Sequence, residues 1–315
     1  MSAAEITIGG YGRFGLDYNE ANDPKREGFD PKKNAYNEIN LTSRLRLQFD
    51  MTAESDSGVT FGARFRAQES VADGGVGNET SFNGGRFYAR MGPATIGVGN
   101  IFGAIDSQPG LYLPTTSVDT GVDGMGFHAK AVKAGFDDYG SNRANGVEVI
   151  YEMGGVGFHI SASSSKEDAI GLKKTSRVAA HASYSVDGWT VALGAQDSDF
   201  TDGVGHDDEK VVLATVTGDL GFASLGFAYA NNQNYAVNGK DVDKFRIYGH
   251  VPVAAGTDLV LWGAHEDNPG AGSDGASFGV DVDHDLGGGV TFVAGIDDPS
   301  VEDSMQAQAG VRFNF

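Results

Sequence analysis

The chain has 315 residues, a formal net charge of −20, 47 glycines, 8 prolines and no cysteine. So acidic a balance excludes nucleic acid as a partner, because phosphate binding needs a basic stripe. Without cysteine there is neither a disulfide framework nor a thiolate metal site. No run approaches the roughly 18 to 20 apolar residues that a membrane helix needs, which leaves strand-built membrane proteins open.

The start, MSAAEIT, has no basic region followed by an apolar core, so an export leader is expected to have been removed ahead of it, with Met1 added on expression. Residues 9–15, GGYGRFG, spell Gly-x-Gly-x-x-Gly at Gly10, Gly12 and Gly15. In dinucleotide folds that motif leads from a strand into a helix whose amides face a pyrophosphate. Here Pro24 and Pro31 follow, with no apolar repeat of period 3.6, so no helix starts and no nucleotide site is expected.

Read with period two, the same stretch is a strand. Ile6, Ile8, Gly10, Gly12, Phe14 and Leu16 share one face; Thr7, Tyr11, Arg13 and Asp17 share the other. In the next run Ile39, Leu41, Leu45, Leu47, Phe49 and Met51 oppose Asn40, Thr42, Arg44, Arg46, Gln48 and Asp50. After the turn-forming SDSG at 55–58, Val59, Phe61, Ala63, Phe65 and Ala67 oppose Thr60, Arg64, Arg66 and Gln68, completing a hairpin. Further strands are expected at 83–91, 95–100, 146–153, 156–163, 176–184, 189–197, 209–217, 222–231, 243–251, 257–266, 276–284, 290–297 and 305–315, roughly sixteen in all.

Connections alternate between tight turns (SDSG, GPA, Gly154-Gly155, VDG, GDLG, DLGGG) and longer polar loops such as NEANDPKREGFDPKKN and SDFTDGVGHDDE. Short turns at one end and long loops at the other are how membrane barrels are built. Glycine on the outer face, at Gly10 and Gly12, suits either strand curvature or a subunit contact. Aromatic residues gather at strand ends, among them Tyr18, Tyr151, Phe158, Tyr184, Trp189, Phe222, Phe292, Phe313 and Phe315, as headgroup-level girdles would require.

EITIGGYGRFGLDY, SRLRLQFDMTAESDSGVTFGARFRAQ, IGVGNIFGAIDS and QAGVRFNF resemble the general diffusion porins of the bacterial outer membrane, most closely those of purple photosynthetic and other alphaproteobacteria. The resemblance covers the first third and the C-terminus by wording and the middle by strand rhythm. It implies an all-β, transmembrane antiparallel barrel of sixteen strands forming one domain over 1–315, with short periplasmic turns and long external loops. It also implies a homotrimer among outer-membrane lipid and lipopolysaccharide, passing small hydrophilic solutes. Gln308, Gly310, Phe313 and Phe315 fit the terminal pattern that, in the family, the barrel assembly machinery reads.

The third loop, 101–145, is too long for an ordinary hairpin; in the family it folds into the lumen and narrows it. It carries Asp106, Asp119 and Asp123, then His128, Lys130 and Lys133. Arg13, Arg44, Arg46, Arg64, Arg66 and Arg86 fall on inward positions and are expected to face these carboxylates across the pore, setting up a transverse field. Catalysis is the weaker alternative, as an outer-membrane protease or lipase, and a soluble glycan-binding β protein is another. The seven histidines are scattered without ligand spacing and no Gly-x-Ser-x-Gly elbow occurs. No cofactor is expected to be required. Acidic external clusters, Asp197, Asp199, Asp202, Asp207, Asp208 and Glu209, or Asp297, Asp298, Glu302 and Asp303, could supply oxygens to Ca2+ or Mg2+ or bridge to lipopolysaccharide phosphates.

Overall fold

The computed structural model describes residues 4–26, 29, 37–71, 79–116, 121–122, 129–140, 145–167, 173–201, 208–235, 240–267, 275–298 and 304–315; at 79–80, 165–167, 173–174, 201 and 235 it describes the backbone alone. Seventeen strand segments form one closed antiparallel sheet. They are β1 (Glu5–Asn19), β2 (Ile39–Glu54), β3 (Thr60–Val71), β4 (Glu79–Phe82), β5 (Arg86–Met91), β6 (Ala94–Gly99), β7 (Asn145–Met153), β8 (Val156–Glu167) and β9 (Lys173–Val186). Then follow β10 (Trp189–Thr201), β11 (Asp208–Asp219), β12 (Ser224–Tyr235), β13 (Lys240–Ala254), β14 (Thr257–Asp267), β15 (Gly275–Gly287), β16 (Val290–Asp298) and β17 (Gln306–Asn314). β4 and β5 both pair with β3, and Asn83 N donates to the Arg66 carbonyl between them, so they are two halves of one wall strand and the barrel has sixteen strands.

Apart from β4, which pairs with β3 alone, each strand pairs on both sides, and β1 pairs with both β2 and β17, which closes the sheet. The seam extends to the last residue: Gly10 N donates to the Phe315 carbonyl at 2.9 Å, and Phe315 N to the Gly10 carbonyl at 3.1 Å. Two-residue turns such as Gly154-Gly155 (φ 59° and 83°) and Asp187-Gly188 (φ 49° and 79°) take the left-handed conformations that suit strand twist.

Period two sorts the side chains as expected. Ile6, Ile8, Phe14, Leu16, Leu41, Leu45, Phe61, Phe87, Ile96, Val149, Ile160, Leu193, Ile247 and Leu261 are exposed on the outer face, where hydrocarbon covers them. Arg13, Asp17, Arg86, Glu148 and His159 are buried on the inner face.

Gly12 has an intramolecular explanation that makes a subunit contact unnecessary. Its cross-strand partner is Phe313, and a Cβ on Gly12 would come within 2.2 Å of that ring. The same ring-on-glycine packing joins the direct partners Gly62 and Tyr88, Gly218 and Trp189, Gly226 and Tyr248, and Gly279 and Trp262. A glycine opposite an aromatic lets the ring lie flat along the sheet.

Candidate pore constriction

The long segment after β6 folds into the barrel and lies along its inner wall. Its outgoing limb leaves Gly99 and is fastened in turn to β7, β8, β9, β11, β13 and β15. Phe102 N donates to Glu148 (3.0 Å), Ala104 N to the Ser161 hydroxyl (3.0 Å), and His181 Nδ1 lies 2.6 Å from the Ala104 carbonyl. The Thr215 hydroxyl donates to the Pro109 carbonyl, and Arg246 holds the carbonyls of Leu111 (2.6 Å) and Ala129 (2.8 Å) as well as that of Gly110. Thr116 N and Gly121 N donate to Asp283 and Asp281, and Val122 reaches Gly310 on β17.

The returning limb retraces the path. Lys133 N and Ala134 N share the Asn232 side-chain oxygen, and the Lys133 ammonium meets Glu266 at 2.8 Å, as does that of Lys244. Asp137 accepts from Ser163 and Arg177, and the Tyr139 carbonyl accepts from Asn83 and Asn100.

Between loop and wall lies a dry layer. Ala104, Ile105, Leu111, Ala131, Val132 and Ala134 of the loop pack on Ala179, Val211, Leu213, Ala228 and Ala230 of β9, β11 and β12, and Leu113 and Ala129 cluster with Tyr248, Trp262 and Ala264. The inner wall behind the loop is therefore dry. Strands β11 and β12 are apolar on both faces because both faces are covered, one by lipid and one by the loop.

The described residues of the loop thus clothe the wall from β7 round to β15 and touch β17; next round the wall come β1, β2 and β3. That sector carries the arginines. Arg13 stands directly between Arg44 on β2 and Arg312 on β17 in register, and Arg46 stands beside Tyr11. The Arg312 and Arg46 guanidinium centres lie 4.3 and 5.3 Å from the Tyr11 ring centre. Arg66 lies 4.5 Å from the Tyr139 ring of the loop, and Arg86 4.0 Å from that of Phe102. Two of the six expected arginines have carboxylate partners on the wall rather than on the loop: Arg64 pairs with Asp50 (2.5 Å), and Arg86 with Glu148 (2.6 Å), which also meets His159 at 3.0 Å.

Two cavities flank the loop. One of about 730 Å3, toward the long-loop end, is lined by Arg46, Arg66, Asp106, Lys130 and Phe102; the other, about 470 Å3 and toward the short turns, by Arg64, Arg86, His159 and Phe102. Asp106 lines the first cavity opposite Arg46 and Arg66, with Tyr112 donating to it at 2.5 Å. Burial pushes its carboxyl up to about 6, with Asp138 adding to the rise and Tyr112, Lys130 and Arg66 opposing it. Asp119, Asp123 and His128 lie outside the described residues.

A family model for Gram-negative porins matches residues 1–304. The chain belongs to that family. The porin is 29% identical over 319 residues to a protein named Porin from Fuscovulum blasticum, and 26% identical over 333 residues to one from Rhodobacter capsulatus; each alignment takes in 99% of this chain and all of the relative. A solved variant of Rh. blastica porin superposes with a TM-score of 0.75 at 24% identity, covering 99% of this chain and all of that one, which shows the fold. A structure at 26% identity and TM-score 0.73, covering the same shares, is described for asymmetric conductivity of engineered proteins. The porin is accordingly a bacterial outer-membrane channel protein.

Several residues of this porin escaped the sequence reading. Arg312 completes the arginine row, and its inward position follows from the same alternation that puts Phe313 outward. Nothing local in the sequence marks Arg246, Asn232 or Glu266 as loop anchors. Gln308 is buried and donates to Asp17 at 2.8 Å, and Gly310 lies under Val122, so both serve the seam and the loop contact inside the fold. Of the acidic clusters, Glu209 and Asp297 are buried on the inner face. Lys210 lies 3.9 Å from Asp197 and 3.6 Å from Asp208, while Asp202, Asp207, Glu302 and Asp303 are outside the described residues. No group of three or more His, Asp or Glu among the described residues is arranged to hold a metal ion.

Proposed function

We propose that this porin is a general diffusion channel whose selectivity is set where the arginine sector of β17, β1, β2 and β3 faces the folded-in loop. The observation that supports this reading is the placement of the described loop residues: they are fastened along β7 to β15, and Arg46 and Arg66 share with Asp106 a cavity of about 730 Å3. At physiological salt the Debye length is about 8 Å, so charges across a narrow opening are only partly screened. Polar solutes align in the field, and apolar ones must shed ordered water.

The chain works as a channel and not as a catalyst, without a required cofactor. It assembles as a homotrimer in outer-membrane lipid and lipopolysaccharide, and Phe313 and Phe315 with Gln308 and Gly310 form the signal for the barrel assembly machinery. Outward carboxylates at the long-loop end, including Asp197 and Asp208, are the groups through which Ca2+ or Mg2+ would bridge to lipopolysaccharide phosphates.

Reversal potentials under a salt gradient in planar bilayers test the reading. Arg46→Gln with Arg66→Gln should shift them toward cations, more at low salt, and Asp106→Asn toward anions. Exchange of the outward residues Leu45 and Phe61 for other apolar residues should leave them unchanged. Equal shifts from the inward and outward pairs would overturn it.

A further inference from the structure

The two cavities that flank the loop meet at one side chain. Among the described residues Phe102 alone lines both: Arg66, Asp106 and Tyr139 border only the larger, and Arg86, Tyr88 and His159 only the smaller. The residue lies on the outgoing limb, three positions beyond Gly99, where β6 ends. Its surroundings tie it at three points. Glu148 accepts the Phe102 N–H at 3.0 Å and also holds Arg86 at 2.6 Å, whose guanidinium centre stands 4.0 Å from the ring centre. Both Glu148 and Arg86 are buried, so the cation on the ring face is itself fixed. Tyr139, on the returning limb, meets the ring edge-on, the two centres 5.4 Å apart and the planes at 78°. Arg86, read from the sequence as a charge facing the loop carboxylates, is occupied by this brace.

Resting on the channel reading above, we propose that the Phe102 ring is a fixed partition between the two cavities and the residue that sets the size limit of this pore. Solutes crossing from the larger cavity to the smaller pass its rim. A braced ring does not swing aside, and it offers no hydrogen bonds to replace a solute's water, so passage there falls with cross-section whatever the charge. Arg46, Arg66 and Asp106 then sort by charge, and Phe102 sorts by girth. Neutral sugars, to which those charges are indifferent, are the solutes on which it shows.

The test is swelling of porin-bearing liposomes in a monosaccharide, a disaccharide and a trisaccharide, run beside single-channel recording. Phe102→Ala should speed entry of the trisaccharide several-fold and of the monosaccharide least, raise the conductance, and leave the reversal potential under a salt gradient at its wild-type value. Phe102→Leu keeps an apolar side chain beside Arg86 and should give smaller gains in the same order. Phe102→Trp should slow the larger sugars. A loop merely loosened by lost packing would also widen the pore, but with noisier currents and with no narrowing by the larger ring. The same size dependence in the wild type and all three variants would overturn the partition alone, as would faster sugars in noisy Phe102→Ala channels with Phe102→Trp unchanged. A wild-type chain that opens no channels would overturn the channel reading beneath it.

Discussion

Asp106 is, with Asp138, a loop carboxylate lining the 730 Å3 cavity that Arg46 and Arg66 also line, and its charge depends on pH within the range cells meet. Burial disfavours the ionised form, and Tyr112, Lys130 and Arg66 recover only part of that cost, leaving the group near 6. Above that value the loop side is negative; as pH falls through it, the proton neutralises Asp106 and the arginine wall is less opposed. Reversal potentials should therefore move toward anion selectivity between about pH 7 and pH 5, and Asp106→Asn should show the low-pH selectivity at both ends. A wild-type curve unchanged by that replacement would show that another group governs the opening. The arginines themselves were legible from alternation alone, since each sits at an inward position of a strand whose other face is apolar. Their partners were not, because Asp50 and Glu148 are wall residues, and only the strand register brings Asp50 beside Arg64.

At the scale of elements, the loop is held by groups that a reader of sequence has no means of pairing. Arg246 is fully buried and holds three loop carbonyls from residues more than a hundred positions away. Replacing it by alanine takes the charged donor from all three, and the Leu111 carbonyl keeps Ala131 N at 3.4 Å; hydrogen bonds to a charged group are worth about 1.5 to 3 kcal/mol each, while barrel pairing between β12, β13 and β14 is untouched. The expected outcome is a folded barrel with larger, noisier single-channel currents, read as open-state noise against the wild type. Currents as quiet as the wild type would mean the dry layer alone holds the loop. Hairpins such as β2–β3 were readable because their two faces differ in polarity. On β11 and β12 the faces differ little, Val211 and Leu213 inside against Val212 outside, and the reason lies in the loop that covers them. The strand expected at 83–91 begins at Arg86, and β4 at Glu79–Phe82, ahead of it, was not read from the sequence.

For the whole molecule, the closing seam runs through to the last residue. Deleting Phe315 removes two backbone hydrogen bonds to Gly10 and one ring of the Phe313–Phe315 pair, whose centres are 6.2 Å apart. The expected loss is about 1 to 3 kcal/mol of barrel stability, measured by unfolding in urea with detergent or lipid present, together with a fall in outer-membrane yield if the terminus is also an assembly signal. A stable barrel with poor yield would separate the two roles; full stability and full yield would deny both. The ring-on-glycine pairs bear on how such a chain can change over generations. At Gly12 and Phe313, Gly62 and Tyr88, Gly218 and Trp189, Gly226 and Tyr248, and Gly279 and Trp262, a side chain cannot grow on one strand unless the ring opposite shrinks. These ten positions therefore behave as five inherited units, open to paired exchange and closed to most single steps.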